Sequence, residues 1–426
     1  MNLKIAYRLI TIKFLLIVSI HSNFAQELKI ADPAEIGFSS QRLDRIDQVF
    51  SRYVEEDQMA GSVILLARKG KVGYFKSFGY RDIAANSPME KNAIFRIASQ
   101  TKATISVGIM MLQEQGKLLI SDPLSKYVPE FKETTVAVPK EKGGYEVEKA
   151  NRQINLRDLL THTSGFSYGG GPAAKEWEKA GIQGWYFADR DEPIAATVER
   201  MADLPANAQP GEDWVYGYST DILGVVIERA SGMPLDQFML QNLFEPLGMN
   251  DTDFYLPQNK VDRLATVYKA EEGKPMTPVP AEGTMNAQGQ YVEGPRVSFS
   301  GGAGLLSTAK DYYLFLQMLA NGGELNGTRI LAPSTVKLMT INHLSEDIDF
   351  RPGQGFGLGF SVITDLGLFG KPGSVGEFGW GGAYHSTYWV DPEEELVVVY
   401  FTQMRDGTVV DDHNMLRALL YQAIVD

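Results

Sequence analysis

Apolar residues recur at helical spacing across residues 41–54, where Leu43, Ile46, Val49, Phe50 and Tyr53 share one face. Two short apolar runs follow, Ser62–Ala67 and Val72–Phe78, joined by Arg68-Lys69-Gly70-Lys71, and this predicts a β-hairpin. Residues 99–115 are apolar on most sides, which predicts a buried helix. From about residue 100 to 300, helical patterns are mixed with long Gly- and Pro-rich loops. Near the end, Phe360–Ile363, Tyr384–Val390 and Leu396–Thr402 predict strands, and Met415–Val425 predicts a closing helix. Strands at both ends and helices between them predict an α+β fold: an antiparallel sheet flanked by helices, with an inserted mainly helical region. On that reading residues 26–98 and 300–426 build an α/β domain from both termini. Residues 99–299 form the mainly helical domain with long loops, and the active cleft lies at the junction.

The first 25 residues have a different pattern. They carry Lys4, Arg8 and Lys13 and no acid, then the apolar run Phe14–Ile20, then Ser22-Asn23-Phe24-Ala25. A positive region, a short apolar region and a small residue before Gln26 predict a secretory signal peptide over residues 1–25. The apolar run is shorter than the ~20 residues of a transmembrane helix, and no cysteine follows to carry a lipid. Cleavage after Ala25 would leave 401 residues with three fewer basic groups and a net charge of −16. The expected location is exported, periplasmic or secreted, with no membrane span after cleavage.

Composition narrows the chemistry. The 426 residues include no cysteine, which excludes disulfides, thiol catalysis and Cys-ligated zinc. Forty Lys and Arg stand against 53 Asp and Glu, for a net charge of −13. Nucleic acid is therefore not an expected partner, because phosphate binding needs clustered basic residues. The strongest local signal is Ser99-Gln100-Thr101-Lys102 at the start of the buried helix. Residues i and i+3 lie on one helical face, so the Lys102 amine can reach the Ser99 hydroxyl. A serine at a helix start also sits beside unpaired N–H groups and the positive end of the dipole. Serine needs a base to attack a carbonyl. Lysine, with a reference pKa of ~10.4, acts as one when desolvated or placed near other positive charge.

The run Phe95-Arg96-Ile97-Ala98-Ser99-Gln100-Thr101-Lys102 is followed by Glu114–Leu118, Asp122-Pro123-Leu124 and Leu159-Leu160-Thr161-His162-Thr163-Ser164-Gly165. Then come Trp214–Gly224, Pro246-Leu247-Gly248-Met249, Gly301–Thr308 and Trp380-Gly381-Gly382. In this order and over nearly the whole chain, these resemble the serine β-lactamase-related family. The match is to its class C-like branch, and the motif pattern is nearest to family VIII carboxylesterases. The resemblance implies a β-lactamase/transpeptidase-like fold and a serine hydrolase working through a Ser99 acyl-enzyme with Lys102 as partner. It implies a catalytic tyrosine as well. Spacing to the Asp221-Ile222-Leu223-Gly224 run selects Tyr216, whereas a Tyr-Ser alignment selects Tyr218; Tyr216 is preferred. Trp380-Gly381-Gly382 would line the cleft, and the N–H groups of Ser99 and Ala383 would form the oxyanion hole. In the lactamases the cleft motif usually begins with lysine. Trp380 in its place is expected to disfavour anionic acyl groups and favour neutral ones, as in the esterase branch. Tyr218 stands where an Asn is often found. The implied substrate is a small-molecule ester or amide, with no cofactor. Carboxylesterase, β-lactamase and D-amino-acid peptidase activities, and a penicillin-binding sensor that acylates without turnover, remain open.

Other motifs carry less. Gly165-Phe166-Ser167-Tyr168-Gly169 is a G-x-S-x-G, but it lacks the strand before and helix after that a nucleophile elbow needs. Of the five histidines, His21 lies in the leader, His162 is read as structural in a turn, and His343 and His413 as surface residues. His385 lies three residues beyond Gly382 on the expected cleft strand and is a candidate substrate contact. No H-E-x-x-H or comparable cluster points to a metal. Tyr168, Trp177, Trp185, Tyr186 and Phe187 fall in central loops that the sequence cannot aim.

Overall fold

The computed structural model describes residues 28–283, 285–405, 407 and 409–426. The expected leader, residues 1–25, lies outside the described residues. Eight strands form one antiparallel sheet: β1 (Gly61–Arg68), β2 (Lys71–Asp82), β3 (Ser87–Pro88), β4 (Gln354–Phe356), β5 (Ser361–Ile363), β6 (Phe378–Gly381), β7 (Thr387–Asp391) and β8 (Leu396–Thr402). Their spatial order is β4-β5-β6-β7-β8-β1-β2-β3, so the N- and C-terminal parts of the chain meet where β8 pairs β1, Ser62 opposite Thr402. The β1–β2 hairpin is the one read from the apolar runs. Lys69 and Gly70 both have positive φ at its tip (52° and 72°), the backbone twist that matches a right-handed strand pair.

The sheet is buried on both faces, because alternate residues of β1 serve different layers. Ile64 and Leu66 face one layer with Val398 and Tyr400 of β8. There they meet α1 (Ser40–Glu55) through Leu43, Ile46 and Phe50, and α5 (Asp412–Tyr421) through Leu416 and Leu420. Val63, Leu65 and Ala67 face the other layer with Val397, Val399 and Phe401. That second layer includes α2 (Thr101–Glu114), α3 (Ser219–Ser231) and α4 (Ala309–Ala320). α2 is apolar nearly all round because it is enclosed on nearly every side. At Gly108 a Cβ would stand 2.9 Å from Ile227 Cδ1, so the glycine lets α2 approach α3 closely. No helix of the described residues is long and apolar enough to cross a membrane.

Several expected boundaries shift. The helix expected over 99–115 starts at Thr101, after a 3₁₀ turn over Ala98–Gln100. The strand expected from Tyr384 starts at Thr387 instead, because residues 382–386 form a reverse turn with Gly382 N–H bonded to Ser386 O (2.8 Å). His385 has φ 66° there and does not belong to a strand. The closing helix begins three residues earlier than expected and stops at Tyr421.

Phe50 is fully buried, with its ring 5.7–5.8 Å from those of Phe78 and Tyr400. Phe50→Ala should cost about 3–5 kcal/mol, whereas Leu368→Ala, at a side chain 66 % exposed, should stay within about 0.5 kcal/mol. Urea unfolding of the two variants measures the contrast.

Candidate active site

Ser99 is placed by strain and by pairing. Ala98 before it has φ 42°, a left-handed backbone that a non-glycine residue adopts at a cost. Phe95 and Arg96 pair with Ser307 and Leu306, Ile97 N–H donates to Leu305 O (3.1 Å), and Leu305 N–H donates to Thr101 Oγ1 (3.1 Å). The segment is therefore clamped against residues 305–307, with the Ser99 side chain half-buried at the mouth of α2.

Lys102, one turn on, is 2 % exposed. Its Nζ donates to Ser99 Oγ (3.3 Å), Tyr168 Oη (2.8 Å) and the Gly302 carbonyl (2.7 Å). The ring of Tyr216 lies 4.7 Å from the same nitrogen. Gly302 is held in turn by Asp221 on α3, whose Oδ1 accepts from Gly302 N–H (3.0 Å) and Ser300 Oγ (2.6 Å). A Cβ on Gly302 would stand 2.3 Å from Asp221 Oδ2, so this approach requires glycine. Burial raises the Asp221 pKa above the usual carboxylate range, while the Lys102 charge opposes the rise.

The two candidate tyrosines separate. Tyr218 is enclosed, with its ring stacked on Trp177 (5.7 Å) and its hydroxyl donating to Gly184 O (2.8 Å). Tyr216 lines the same cleft as Ser99, and its hydroxyl accepts from Trp380 Nε1 (3.0 Å). Its ring is flanked by Trp214 (5.5 Å, nearly parallel) and by the buried ring of His162 (4.8 Å). His162 Nδ1 has no hydrogen-bond partner among the described residues, so its side chain acts in the turn as a packing ring. Burial and the Lys102 charge hold the His162 pKa well below its ordinary value, so the ring is neutral.

The cleft, of about 520 Å³, runs from Ser99 and Tyr168 past Trp380 to His385. Gly381 and Gly382 carry the chain into the 382–386 turn, and a Cβ on Gly382 would stand 2.5 Å from Ile97 O. That closeness brings the Ala383 end of the turn beside the Ser99 segment. Ala383 N–H has no acceptor among the described residues. His385 turns its ring to Asp412, with Nε2 2.7 Å from Oδ1. His413 is half-buried and stacks on His385 at 4.2 Å, which corrects its reading as a surface residue. His343 is half-buried too, with Nε2 2.7 Å from Leu338 O.

Three features were not legible as site residues in the sequence. Tyr168 reaches Lys102 from the loop that carries Ser167, whose own hydroxyl is bonded to Gly170 O (3.0 Å) and whose neighbours are neither strand nor helix. Burial, then the charges of Tyr216 and Asp221, push the Tyr168 pKa well above the ordinary phenol value, which keeps it protonated. Asp221 acts through Gly302 and was visible only as part of a motif. Arg351 is the third: its guanidinium stands 5.0 Å over the Trp380 ring, and no carboxylate of the described residues pairs with it. The site therefore contains a cation at the tryptophan that replaces the usual lysine.

The Beta-lactamase family profile matches residues 46–422. The chain belongs to the beta-lactamase family. It is 30 % identical to Esterase EstB of Burkholderia gladioli over 374 residues, 84 % of this chain and 89 % of that one. It is 35 % identical to Protein Rv1367c of Mycobacterium tuberculosis (strain ATCC 25618 / H37Rv) over 370 residues, 83 % and 88 % of the two chains. Among solved structures it is similar to EstCE1, a hydrolase with promiscuous acyltransferase activity, with a TM-score of 0.76 and 28 % identity, covering 89 % of this chain and 99 % of that one. The family resemblance and the α+β, β-lactamase/transpeptidase-like fold read from the motifs both hold, and the protein is a serine hydrolase of this family. Tyr168→Phe removes one of three acceptors from Lys102. Steady-state kinetics with an aryl ester should show kcat reduced about 10- to 100-fold, with KM little changed and an unaltered circular dichroism spectrum.

Proposed function

We propose that this beta-lactamase-family protein is an exported, carboxylesterase-type hydrolase that cleaves a small-molecule ester through a Ser99 acyl-enzyme. The observation that carries this reading is the buried Lys102 Nζ held 3.3 Å from Ser99 Oγ. Ser99 Oγ attacks the carbonyl carbon as its proton passes to Tyr216, which acts as a phenolate beside the Lys102 ammonium. The tetrahedral oxyanion is met by the N–H groups of Ser99 and Ala383, each such donor being worth ~3–4 kcal/mol. The C–O bond to the leaving alcohol breaks as Tyr216 returns the proton to it. Water then adds to the acyl carbon as Tyr216 takes its proton, and Tyr216 returns that proton to Ser99 Oγ as the acid is released. Tyr168, kept as a neutral phenol, positions Lys102. Tyr216 is preferred over Tyr218 because the Tyr218 hydroxyl is committed to Gly184 O. Similarity to EstB and EstCE1 supports the ester over other acyl substrates. Export rests on the residue 1–25 pattern alone.

A second reading is cleavage of a β-lactam or a D-amino-acid peptide, and Arg351 favours it. A guanidinium beside Trp380 that has no carboxylate partner among the described residues can hold the carboxylate such substrates bear.

Ser99→Ala should abolish both ester turnover and labelling by a fluorophosphonate probe; retained labelling would reject the assignment. Tyr216→Phe should lower kcat by roughly 10²–10⁴-fold, and Tyr218→Phe far less. Parallel assays on a neutral aryl ester, nitrocefin and a D-Ala-D-Ala peptide separate the two readings. Under the esterase reading, Arg351→Ala leaves kcat/KM for the neutral ester within about threefold.

A further inference from the structure

On the wall of the cleft, two parts of the chain about 27 residues apart converge. His385, in the 382–386 turn, meets Asp412 and His413 at the start of α5. One donor atom from each lies within 4.8 Å of the others. We propose that His385, Asp412 and His413 form a binding site for a zinc-type divalent cation, tying the turn that carries Ala383 to the first turn of α5.

The arrangement around each donor supports this. His413 Nε2 is 3.0 Å from the His385 carbonyl. A carbonyl only accepts, so Nε2 carries the proton and Nδ1 keeps the lone pair. A ring N–H on a backbone carbonyl, with the second nitrogen free to ligate, is the usual support of a metal-bound histidine. Asp412 is buried; its Oδ2 accepts from the enclosed Tyr400 hydroxyl, and its Oδ1 accepts from the His413 backbone N–H (3.1 Å) and faces His385. The site is half-open: His385 and His413 line the cleft, which gives an ion a route in. His385 holds its place with φ 66°, and strain of this kind concentrates at functional positions.

The donor set selects the metal. Two imidazoles and one carboxylate suit zinc and its neighbours in the first transition row, whereas magnesium and calcium prefer all-oxygen shells. Tetrahedral bonds of ~2.0–2.1 Å place donors roughly 3.3 Å apart. The 2.7 Å His385–Asp412 contact is a hydrogen bond donated by Nε2 to the carboxylate, so a bound ion would displace that proton and part the two atoms by about half an ångström. The sequence could not reveal this set, because its residues come from two segments with no ligand-like spacing.

The test uses tag-free, chelator-treated full-length protein titrated with ZnCl₂, and separately with MgCl₂, by calorimetry. One zinc per chain is expected, with no magnesium uptake at the same concentrations. Co²⁺ should give visible absorption bands of a low-coordinate nitrogen–oxygen site. His413→Ala and His385→Asn should each weaken zinc binding at least tenfold, with the metal-free melting temperature recorded to confirm folding. If one variant does not fold, the other decides. Absence of zinc uptake, or uptake unchanged in the folded variants, overturns the assignment. The readout is independent of hydrolysis, so a failed esterase reading leaves it standing and its own failure leaves the esterase reading intact.

Discussion

Everything at the site depends on how a lysine amine is kept indoors. Burying such a group costs several kcal/mol unless its hydrogen-bonding capacity is met. Lys102 meets it with Ser99, Tyr168 and the Gly302 carbonyl, and with the face of Tyr216 below. Three acceptors for three N–H bonds fix where the nitrogen sits, and therefore how close it stays to Ser99. Asp221 supplies negative charge nearby without touching the amine, because it acts on the loop that presents the carbonyl. Hydrophobic packing of α2 encloses the ensemble and excludes competing water.

The second constraint is close backbone approach. Gly382 lies against Ile97, and Gly302 against Asp221, at distances that leave no space for a Cβ. These contacts bring the sheet edge, the α2 mouth and the 300–302 loop to one point. The sheet gives that point rigidity: β6 and β7 are extensions of a layer buried on both faces through β8 and β1. The 382–386 turn is the half-buried end of this rigid frame, so a cross-link from His385 to α5 would act on the Ala383 amide.

Much of this was legible in the sequence. The β1–β2 hairpin, α1 and the β8 strand follow from apolar periodicity and a two-residue Lys69-Gly70 tip, which are local signals. Ser99 and Lys102 were legible because i and i+3 are neighbours on any helix. The β6 strand was not read from periodicity, because Gly379 and Gly381 dilute its apolar pattern; only the Trp380-Gly381-Gly382 motif pointed to a strand there. The reverse turn at Tyr384–Ser386 was read as strand because its residues are apolar or β-compatible, and only the positive φ of His385 breaks the run. Tyr168, Arg351 and the His385–Asp412–His413 group belong to long-range contacts. No spacing in the chain encodes that Tyr168 meets Lys102 66 positions earlier.

The most direct measurement is intact and peptide-resolved mass spectrometry of protein quenched during turnover of a slow aryl ester. The account predicts one acyl adduct per chain, located on Ser99 and decaying as the acid appears. An adduct on Ser167, or hydrolysis with no covalent species at any quench time, would contradict it.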